Sequence, residues 1–223
     1  MDANQLIDRF ITSCSHDLRS PLTSIKGLVQ VAELHPHTAE IHECLERINS
    51  TTDKMEKLLK SLEEFLITNH HITKKVNVDC EEMTNSVLKS FEDILDQKSI
   101  TLKKNIKVAE ECQIDPYSFP LILTHLLNNA VMFQDSRKKK KQIKLNVHAR
   151  DRFTLLQVSD NGIGIPQHVQ PHIFKPFYKG SEKSNGLGMG LFQLSHLIEK
   201  SDSQLFLISK ENEGSTFSIA IPA

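Results

Sequence analysis

A histidine and an aspartate stand side by side in the stretch SHDLRSPLTSIKG, residues 15–27, whose apolar residues recur at helical spacing. His16 lies two residues from Cys14 and two from Leu18, which both belong to the apolar stripe. At about 100° per residue, this spacing places His16 opposite the stripe, on the solvent side. The Asp17 carboxylate can bond one imidazole nitrogen and raise the basicity of the other. The pair therefore predicts an exposed and oriented nucleophile.

An acidic residue and two glycines follow a strand-like pattern in VSDNGIGIP, residues 158–166. Asp160, Gly162 and Gly164 would let the backbone turn sharply and approach a ligand closely. Taken alone, this spacing is a weak signal, and a calcium loop or a plain turn also fits it. Further along, SNGLGMGLFQL opens an apolar helix with glycines, an arrangement that presents backbone amides to phosphate. The glycines of that stretch are Gly186, Gly188 and Gly190.

Residues 5–71 predict a helical hairpin that would carry the histidine. Apolar residues recur at alternating spacings of four and three through residues 41–66 and again, with one skipped beat, through residues 7–32, and Pro36 breaks the pattern between them. Pro21 lies inside the first of these helices and predicts a bend there. Because two such helices cannot bury both stripes alone, we expect two chains to pair into a four-helix bundle.

From about Val76 onward the sequence mixes helix and strand periods. A capping box formed by Asp79 and Glu82 opens a helix that we expect to reach about Gln97. Two further helices are predicted near 117–133 and 187–200. Strand-like alternation marks residues 100–108, 142–150, 153–160, 204–210 and 215–222. This order predicts a two-layer α/β sandwich in which the helices cover one face of a sheet.

Composition excludes several classes of protein. The 223 residues carry 27 Lys and Arg against 28 Asp and Glu, so no global field attracts nucleic acid or an anionic membrane. The basic run at 137–141 is expected to solvate a turn. The four cysteines form no CxxC pair, which argues against a zinc site or a disulfide framework and favours a reducing compartment. No apolar run approaches the ~20 residues that span a bilayer. We expect a cytoplasmic protein, or the cytoplasmic part of a longer one, with no membrane insertion of its own.

The stretch around His16 resembles the H-box of sensor histidine kinases, in the variant that carries aspartate after the phosphoacceptor. The resemblance implies that His16 accepts phosphate and that Asp17 acts as its base. It also implies that Ser20 orients the water that dephosphorylates a partner. Thr or Asn is commoner at that last position, but Ser20 keeps a hydroxyl group.

Four later stretches resemble, in order, the N, G1, F and G2 boxes of the catalytic ATP-binding domain shared by histidine kinases and related ATPases. They read LILTHLLNNAVMF, VSDNGIGIP, IFKPFYKG and SNGLGMGLFQL. The resemblance makes Asp160 the acceptor for the adenine amino group and gives the side-chain oxygen of Asn129 to Mg²⁺. Gly162 and Gly164 would lie against adenine and ribose. The glycines of the lid, Gly186, Gly188 and Gly190, would bind the phosphates, and Phe174 with Phe177 would form the F-box pair that moves with the lid.

Three residues depart from the family pattern. His125 stands where a first asparagine is usual, and its imidazole is a poorer Mg²⁺ ligand than an amide oxygen, although it can still share the metal with Asn129. Met132 replaces a lysine or arginine that meets the phosphates, and Ser184 replaces a glycine of the lid. A lysine near the lid could restore the missing charge, namely Lys175, Lys179 or Lys183.

The resemblance predicts an α+β chain in two domains. Residues 1–73 would form the dimerisation and histidine phosphotransfer hairpin, a dimeric four-helix bundle, and residues 76–223 an α/β sandwich ATP-binding domain of the histidine kinase, gyrase and Hsp90 type. Such a homodimer would phosphorylate His16 from ATP and Mg²⁺ and pass the phosphate to an aspartate of a response-regulator receiver domain. The alternative is a catalytically degenerate phosphotransfer or scaffold protein with weak or no ATP binding. An ATPase of this fold without histidine chemistry would not need the H-box.

Overall fold

The computed structural model describes residues 3–34, 38–108, 112–150, 152–180 and 188–223. Contacts divide the chain into two compact units, Met1–His70 and His71–Ala223. The limits and the roles expected for two domains, 1–73 and 76–223, stay predictions.

The first unit is a pair of long helices, α1 at Ala3–Leu34 and α2 at Thr38–His70, which pack on each other. Pro21 lies inside α1, and the helix continues through it. Cys44, Leu58 and Phe65 of α2 are buried, but other large apolar side chains of the unit remain exposed. These are Leu22, Val29, Val31, Leu34, Leu45, Leu59, Leu66 and Ile67. The predicted hairpin is confirmed, and Pro36 lies outside the described residues.

The second unit begins with a short strand, β1 at Val76–Val78, and a helix, α3 at Cys80–Lys89. The Asp79 side chain caps α3 by accepting the backbone N–H of Glu82 at 2.8 Å, as the capping box predicts. The expected continuation of α3 to Gln97 is wrong, because the helix ends at Lys89 and a separate helix, α4, spans Glu92–Gln97.

The break between α3 and α4 is local. The Ser90 hydroxyl donates to the carbonyl of Val87 at 2.7 Å, and the Ser90 backbone N–H also bonds that carbonyl. Phe91 is buried and keeps its place in the apolar stripe. Apolar spacing therefore continues across a junction where the helical hydrogen bonds do not, and for that reason periodicity misses the junction.

The sheet is built from five strands: β2 at Ile100–Lys107, β4 at Lys141–Arg150, β5 at Phe153–Asp160, β6 at Gln204–Lys210 and β7 at Gly214–Pro222. Their order is β2-β4-β5-β7-β6, with β2 and β4 parallel and the other neighbours antiparallel. A three-residue strand, β3 at Cys112–Ile114, pairs with β1 in a second sheet that sequence reasoning missed.

Two more α-helices complete the unit, α5 at Ser118–Met132 and α6 at Gly190–Lys200, with a 3₁₀ turn at Gln170–His172. The helices and one face of the sheet share a single core, to which the buried residues of β4 contribute Ile143, Leu145 and Val147. The opposite face is crossed by hydrogen-bonded polar side chains. Asn105 donates to Asn146 at 3.3 Å, Asn146 to Gln157 at 3.0 Å and Gln157 to Ser218 at 2.9 Å. The predicted two-layer arrangement is confirmed.

The described residues also give information on the cysteines, on metal-binding clusters and on membrane-spanning helices. Cys44, Cys80 and Cys112 are buried, and burial raises the pKa of the Cys80 and Cys112 thiols, so both stay protonated at neutral pH. Within those residues no cluster of three or more His, Cys, Asp or Glu side chains could hold a metal ion. No helix in the same ranges combines the length and the apolar character needed to cross a bilayer.

Candidate functional site

The end of α5 carries the amide expected to face a cation. Asn128 is exposed, whereas Asn129 is half-buried in the last turn of the helix. The Asn129 Nδ2 is buried, and no described residue accepts a hydrogen bond from it. A buried amide without a partner costs free energy, and a polar ligand at this position would recover part of that cost.

His125 lies one turn before Asn129 and is only 7% exposed. A Cβ built on Gly190, the first residue of α6, would lie 3.9 Å from the His125 Nδ1. The imidazole is therefore packed beneath the start of α6 rather than open to water. Met132, the second residue of α5 that departs from the family pattern, ends the helix and is 45% exposed.

Asp160 ends β5 and is half-buried. Its Oδ1 accepts the backbone N–H of Gly162 at 2.7 Å. Burial raises the pKa of Asp160 to about 6, although hydrogen bonds from the backbone of Gly162 and Ser215 and the charge of Lys138 act against that rise. A carboxylate held in this way is ionised at neutral pH and is a strong acceptor for an N–H group of a ligand.

The loop after Asp160 is fastened at both sides. The Ile163 N–H donates to the carbonyl of Phe133, which directly follows α5, at 3.0 Å. A Cβ on Gly162 would lie closer than 3.0 Å to that same carbonyl oxygen. On the other side, the Asn212 N–H donates to the Ile163 carbonyl at 2.6 Å.

Gly164 has a φ of +67°, and a Cβ there would lie closer than 3.0 Å to the carbonyl of Lys210. The close approaches made by Gly162 and Gly164 are thus to the backbone of the chain itself. These glycines let the loop dock between α5 and the β6–β7 turn, and in doing so they fix the place of Asp160.

Replacement of Gly164 by alanine tests this fastening. We expect Gly164→Ala to lower the free energy of unfolding by about 1–3 kcal/mol, because the new Cβ must occupy a left-handed backbone conformation beside a carbonyl. Chemical denaturation of the unliganded protein measures this change. Gly27→Ala is the control, since a Cβ there meets nothing within 4 Å, and because Gly27 lies inside α1 this change should stabilise the protein slightly. Equal unfolding midpoints for the two variants would contradict the packing role.

The glycines of the predicted lid are only partly described. Gly186 lies outside the described residues, as do Lys183 and Ser184. Gly188 has a φ of +74°, and a Cβ there would come within 3.0 Å of the backbone of Phe177 and Tyr178. Gly190 begins α6, whose N-cap residue, Met189, makes no side-chain cap. The Met189 side chain therefore does not occupy the first backbone N–H groups of α6. An anion that binds at a helix N-terminus needs such groups to be available.

The segment before the lid holds the two phenylalanines of the predicted F-box. Phe174 packs against the core, and Phe177 has a φ of +62°, which is costly for a residue with a large side chain. Lys175 and Lys179 are exposed.

The predicted phosphoacceptor lies in the other unit. His16 and Asp17 fall within α1, in the part of the helix whose backbone alone is described, so the predicted outward direction of the imidazole is a prediction still. Ser20, one turn further on, is exposed.

Sequence reasoning missed two residues of the site. Gly214, with a φ of +129°, brings β7 so close to Asp160 that a Cβ would lie within 3.0 Å of the Asp160 carbonyl. Lys138 belongs to the basic run expected to solvate a turn, yet it is half-buried and its Nζ donates to the carbonyl of Asn161 at 2.6 Å. The glycine of a β-turn and one lysine among four carry no sequence signal that separates them from ordinary turn residues.

Comparison with protein families assigns both units. The His Kinase A (phospho-acceptor) domain matches residues 6–66. The Histidine kinase-, DNA gyrase B-, and HSP90-like ATPase family matches residues 114–223. The two matches follow each other along most of the chain and include the predicted H-box and all four predicted nucleotide boxes.

Individual proteins resemble the chain over nearly its whole length. The autoinducer 2 sensor kinase/phosphatase LuxQ of Vibrio vulnificus is 27% identical over 226 residues, covering 96% of this chain and 26% of LuxQ. The chain thus spans about a quarter of the length of that relative. The structure of histidine kinase ThkA in complex with the response regulator TrrA matches 99% of this chain and 64% of its own, with a TM-score of 0.74 and 18% identity. Full-length ShkA in complex with AMPPNP matches 96% of this chain and 45% of its own, with a TM-score of 0.67 and 19% identity.

Proposed function

The chain belongs to the sensor histidine kinases by the order of its phospho-acceptor and ATPase domains, and we propose that it is an ATP-dependent protein-histidine kinase. It phosphorylates His16 and then transfers the phosphate to an aspartate of a response-regulator receiver domain. The complex that the histidine kinase ThkA forms with the response regulator TrrA supports that class of partner.

The observation that carries the proposal is the state of Asp160. Burial raises its pKa to about 6, yet the loop that holds it is fastened by close backbone contacts on both sides. A fold that keeps a costly carboxylate in a rigid loop is typical of a binding site. This carboxylate would accept a hydrogen bond from the adenine amino group. The complex of ShkA with AMPPNP supports an adenine nucleotide as the ligand.

The other residues take the roles that the family pattern gives them. Backbone amides of Gly186, Gly188 and Gly190 would hold the phosphates near the N-terminus of α6. The Asn129 Nδ2, which has no hydrogen-bond acceptor among the described residues, fits a polar ligand, and the Asn129 side-chain oxygen suits Mg²⁺, which would neutralise phosphate charge when bound. His125 is buried beneath α6 and offers nitrogen, so it would contribute less to that cation.

The transfer itself needs little from the protein beyond position. An imidazole nitrogen of His16 forms a bond to the γ-phosphorus as the bond from that phosphorus to the bridging oxygen breaks, and ADP leaves. Asp17 takes the ring proton. Ser20, which is exposed one turn along α1, would orient the water that hydrolyses the aspartyl phosphate of a partner and releases inorganic phosphate.

The pairing of two chains follows from the surface of the hairpin. Leu22, Leu45 and Leu59 are 48%, 52% and 49% exposed on helices that otherwise bury apolar residues against each other. A second hairpin would cover such side chains and form a four-helix bundle, so we propose a homodimer.

Incubation with ATP labelled at the γ-phosphate tests the proposed activity. The label should enter the protein, withstand base and be lost in acid, as a phosphohistidine is. Subsequent addition of a receiver domain should remove it from the kinase. A protein that takes up no label would contradict the proposed kinase activity, and one that in addition binds ATP weakly or not at all would be the degenerate phosphotransfer or scaffold relative.

The departures from the family pattern give a further prediction. Because Asn129 has weak help from His125 and Met132 brings no positive charge to the phosphates, we expect the wild-type kinase to need high Mg²⁺. His125→Asn combined with Met132→Lys should lower the Mg²⁺ concentration for half-maximal labelling of His16 about ten-fold, since one charge-assisted contact to phosphate contributes about 1.5–3 kcal/mol. Titration of Mg²⁺ at fixed ATP measures this. An unchanged requirement would show that neither departure weakens nucleotide handling.

A further inference from the structure

The basic run RKKKK at 137–141 follows helix α5, and its second residue, Lys138, packs against the protein. Lys138 is half-buried, whereas Lys139 and Lys140 are exposed. The Lys138 Nζ donates to three backbone carbonyls, those of Asn161 at 2.6 Å, Gly162 at 3.3 Å and Glu213 at 3.3 Å. An ammonium group has three donors, and here each has a carbonyl partner.

Those carbonyls belong to the two segments that surround Asp160. Asn161 and Gly162 follow it directly in the chain, and Glu213 lies in the turn between β6 and β7. The same ammonium group therefore ties the Asp160 loop to the β6–β7 turn. It also supplies the charge that lowers the pKa of Asp160 against the effect of burial.

Arg137 braces this arrangement from the neighbouring position. Its guanidinium bonds both carboxylate oxygens of Asp135 at 2.9 Å, which holds the pKa of Asp135 at about 2. Its Nη2 also donates to the Asn212 Oδ1 at 2.6 Å, so the β6–β7 turn is held beside Lys138.

The side chain of Asn161 holds the same loop from the other direction. It accepts the N–H of Gln142 and donates to the carbonyl of Lys140, both at 2.8 Å.

We propose that Lys138 is a positioning residue of the nucleotide site, whose ammonium group holds the loop at 161–162 in place and keeps the Asp160 carboxylate ionised toward the adenine. This inference rests on the proposed nucleotide site. In this role Lys138 would act without touching the nucleotide, since its three donors are directed at carbonyls of the chain. Among the described residues, the groups that lower the pKa of the Asp160 carboxyl against burial are this ammonium and the backbone N–H groups of Gly162, Ser215 and Asp160 itself.

The test compares ADP affinity across pH 5 to 8 for the wild type and for Lys138→Met, which keeps the length of the side chain and removes its charge and donors. We expect about ten-fold weaker binding at pH 7, as for other residues that orient a ligand-binding group. We also expect the loss of affinity in acid to begin at a higher pH, because the cation that favours the Asp160 carboxylate is gone. The comparison is made between variants, so the ionisation of ADP itself cancels.

Two further variants separate positioning from general packing. Lys139→Met removes an exposed neighbour of the same type and should bind ADP as the wild type does. Lys138→Gln keeps a donor without the charge, so it should retain more of the fold than Lys138→Met and still show the displaced pH profile. It also serves if Lys138→Met fails to fold.

The outcomes distinguish this inference from the function on which it rests. A wild type that binds no ADP overturns the nucleotide site and Lys138 with it. A wild type that binds ADP while Lys138→Gln keeps the wild-type pH profile overturns the role of Lys138 alone, whether or not the affinity falls. A displaced profile in Lys138→Gln and an unchanged one in Lys139→Met support it.

Discussion

His16→Gln is expected to abolish transfer of the γ-phosphate to the protein, while ADP affinity stays within a few-fold of the wild type. Glutamine keeps a polar side chain on the helix but has no nucleophilic ring nitrogen. The nucleotide contacts proposed for Asp160 and Asn129 belong to the other unit of the chain and are not altered. Labelling with γ-phosphate and calorimetry with ADP measure the two quantities separately.

The control for this variant is His42→Gln. His42 also lies on the hairpin, in α2, and its side chain is 76% exposed beside Glu46. It should take up label as the wild type does. If His16→Gln were labelled to the same extent as His42→Gln, the phosphoacceptor would be another residue.

Asp160→Asn is expected to have two opposite effects. It should weaken adenine nucleotide binding by about 10- to 100-fold, because a neutral amide replaces an ionised acceptor and such charge-assisted bonds contribute about 1.5–3 kcal/mol. It should also stabilise the unliganded protein by about 1–3 kcal/mol at pH 7, because the ionised form of a buried carboxyl destabilises the fold.

The pH dependence of stability shows in which direction the ionisation of Asp160 changes the free energy of unfolding. Folding raises the pKa of Asp160 from 3.8 to about 6, so the folded wild type binds more protons than the unfolded chain between those values. The contribution of Asp160 to stability therefore falls as the pH rises from about 4 to about 6 and is constant above. Asp160→Asn should lack this decline, and the two proteins should be equally stable near pH 4.

Denaturant midpoints at pH 4 and pH 7 measure the difference between Asp160→Asn and the wild type, with Asp96→Asn, at an exposed position, as control. A variant that is less stable than wild type at pH 7 would contradict the assigned burial cost.

Much of the fold follows from periodicity. The alternation in QLFLISK predicts β6 at Gln204–Lys210 with the bounds observed, and the seam of the hairpin predicts two long helices. Periodicity fails where an element is too short to repeat. The strands β1 and β3 have three residues each and are held by their pairing, Val78 opposite Cys112, which depends on chain segments far apart in sequence.

The site divides in the same way. Asp160 and Asn129 can be proposed from the sequence because the segments around them resemble known boxes. Lys138 is not, because a lysine in a run of four is typical of a solvated charge until the fold brings to it three carbonyls from two distant segments. Why glycine is required at positions 162 and 164 also became clear only from the fold, since the atoms that exclude a Cβ there belong to Phe133 and Lys210.

The five-stranded sheet has two edge strands, β2 and β6, and they differ in how they resist aggregation. On β2, the exposed Lys103, Lys104 and Lys107 place positive charge along the edge, and a second strand that paired there would have to desolvate them. On β6, Phe206 and Ile208 are 54% and 76% exposed, so the same encounter would bury apolar surface. The β6 edge is therefore the one at which unwanted strand addition between molecules would begin, and lysine in place of Ile208 would be the conservative way to improve solubility without touching the nucleotide pocket.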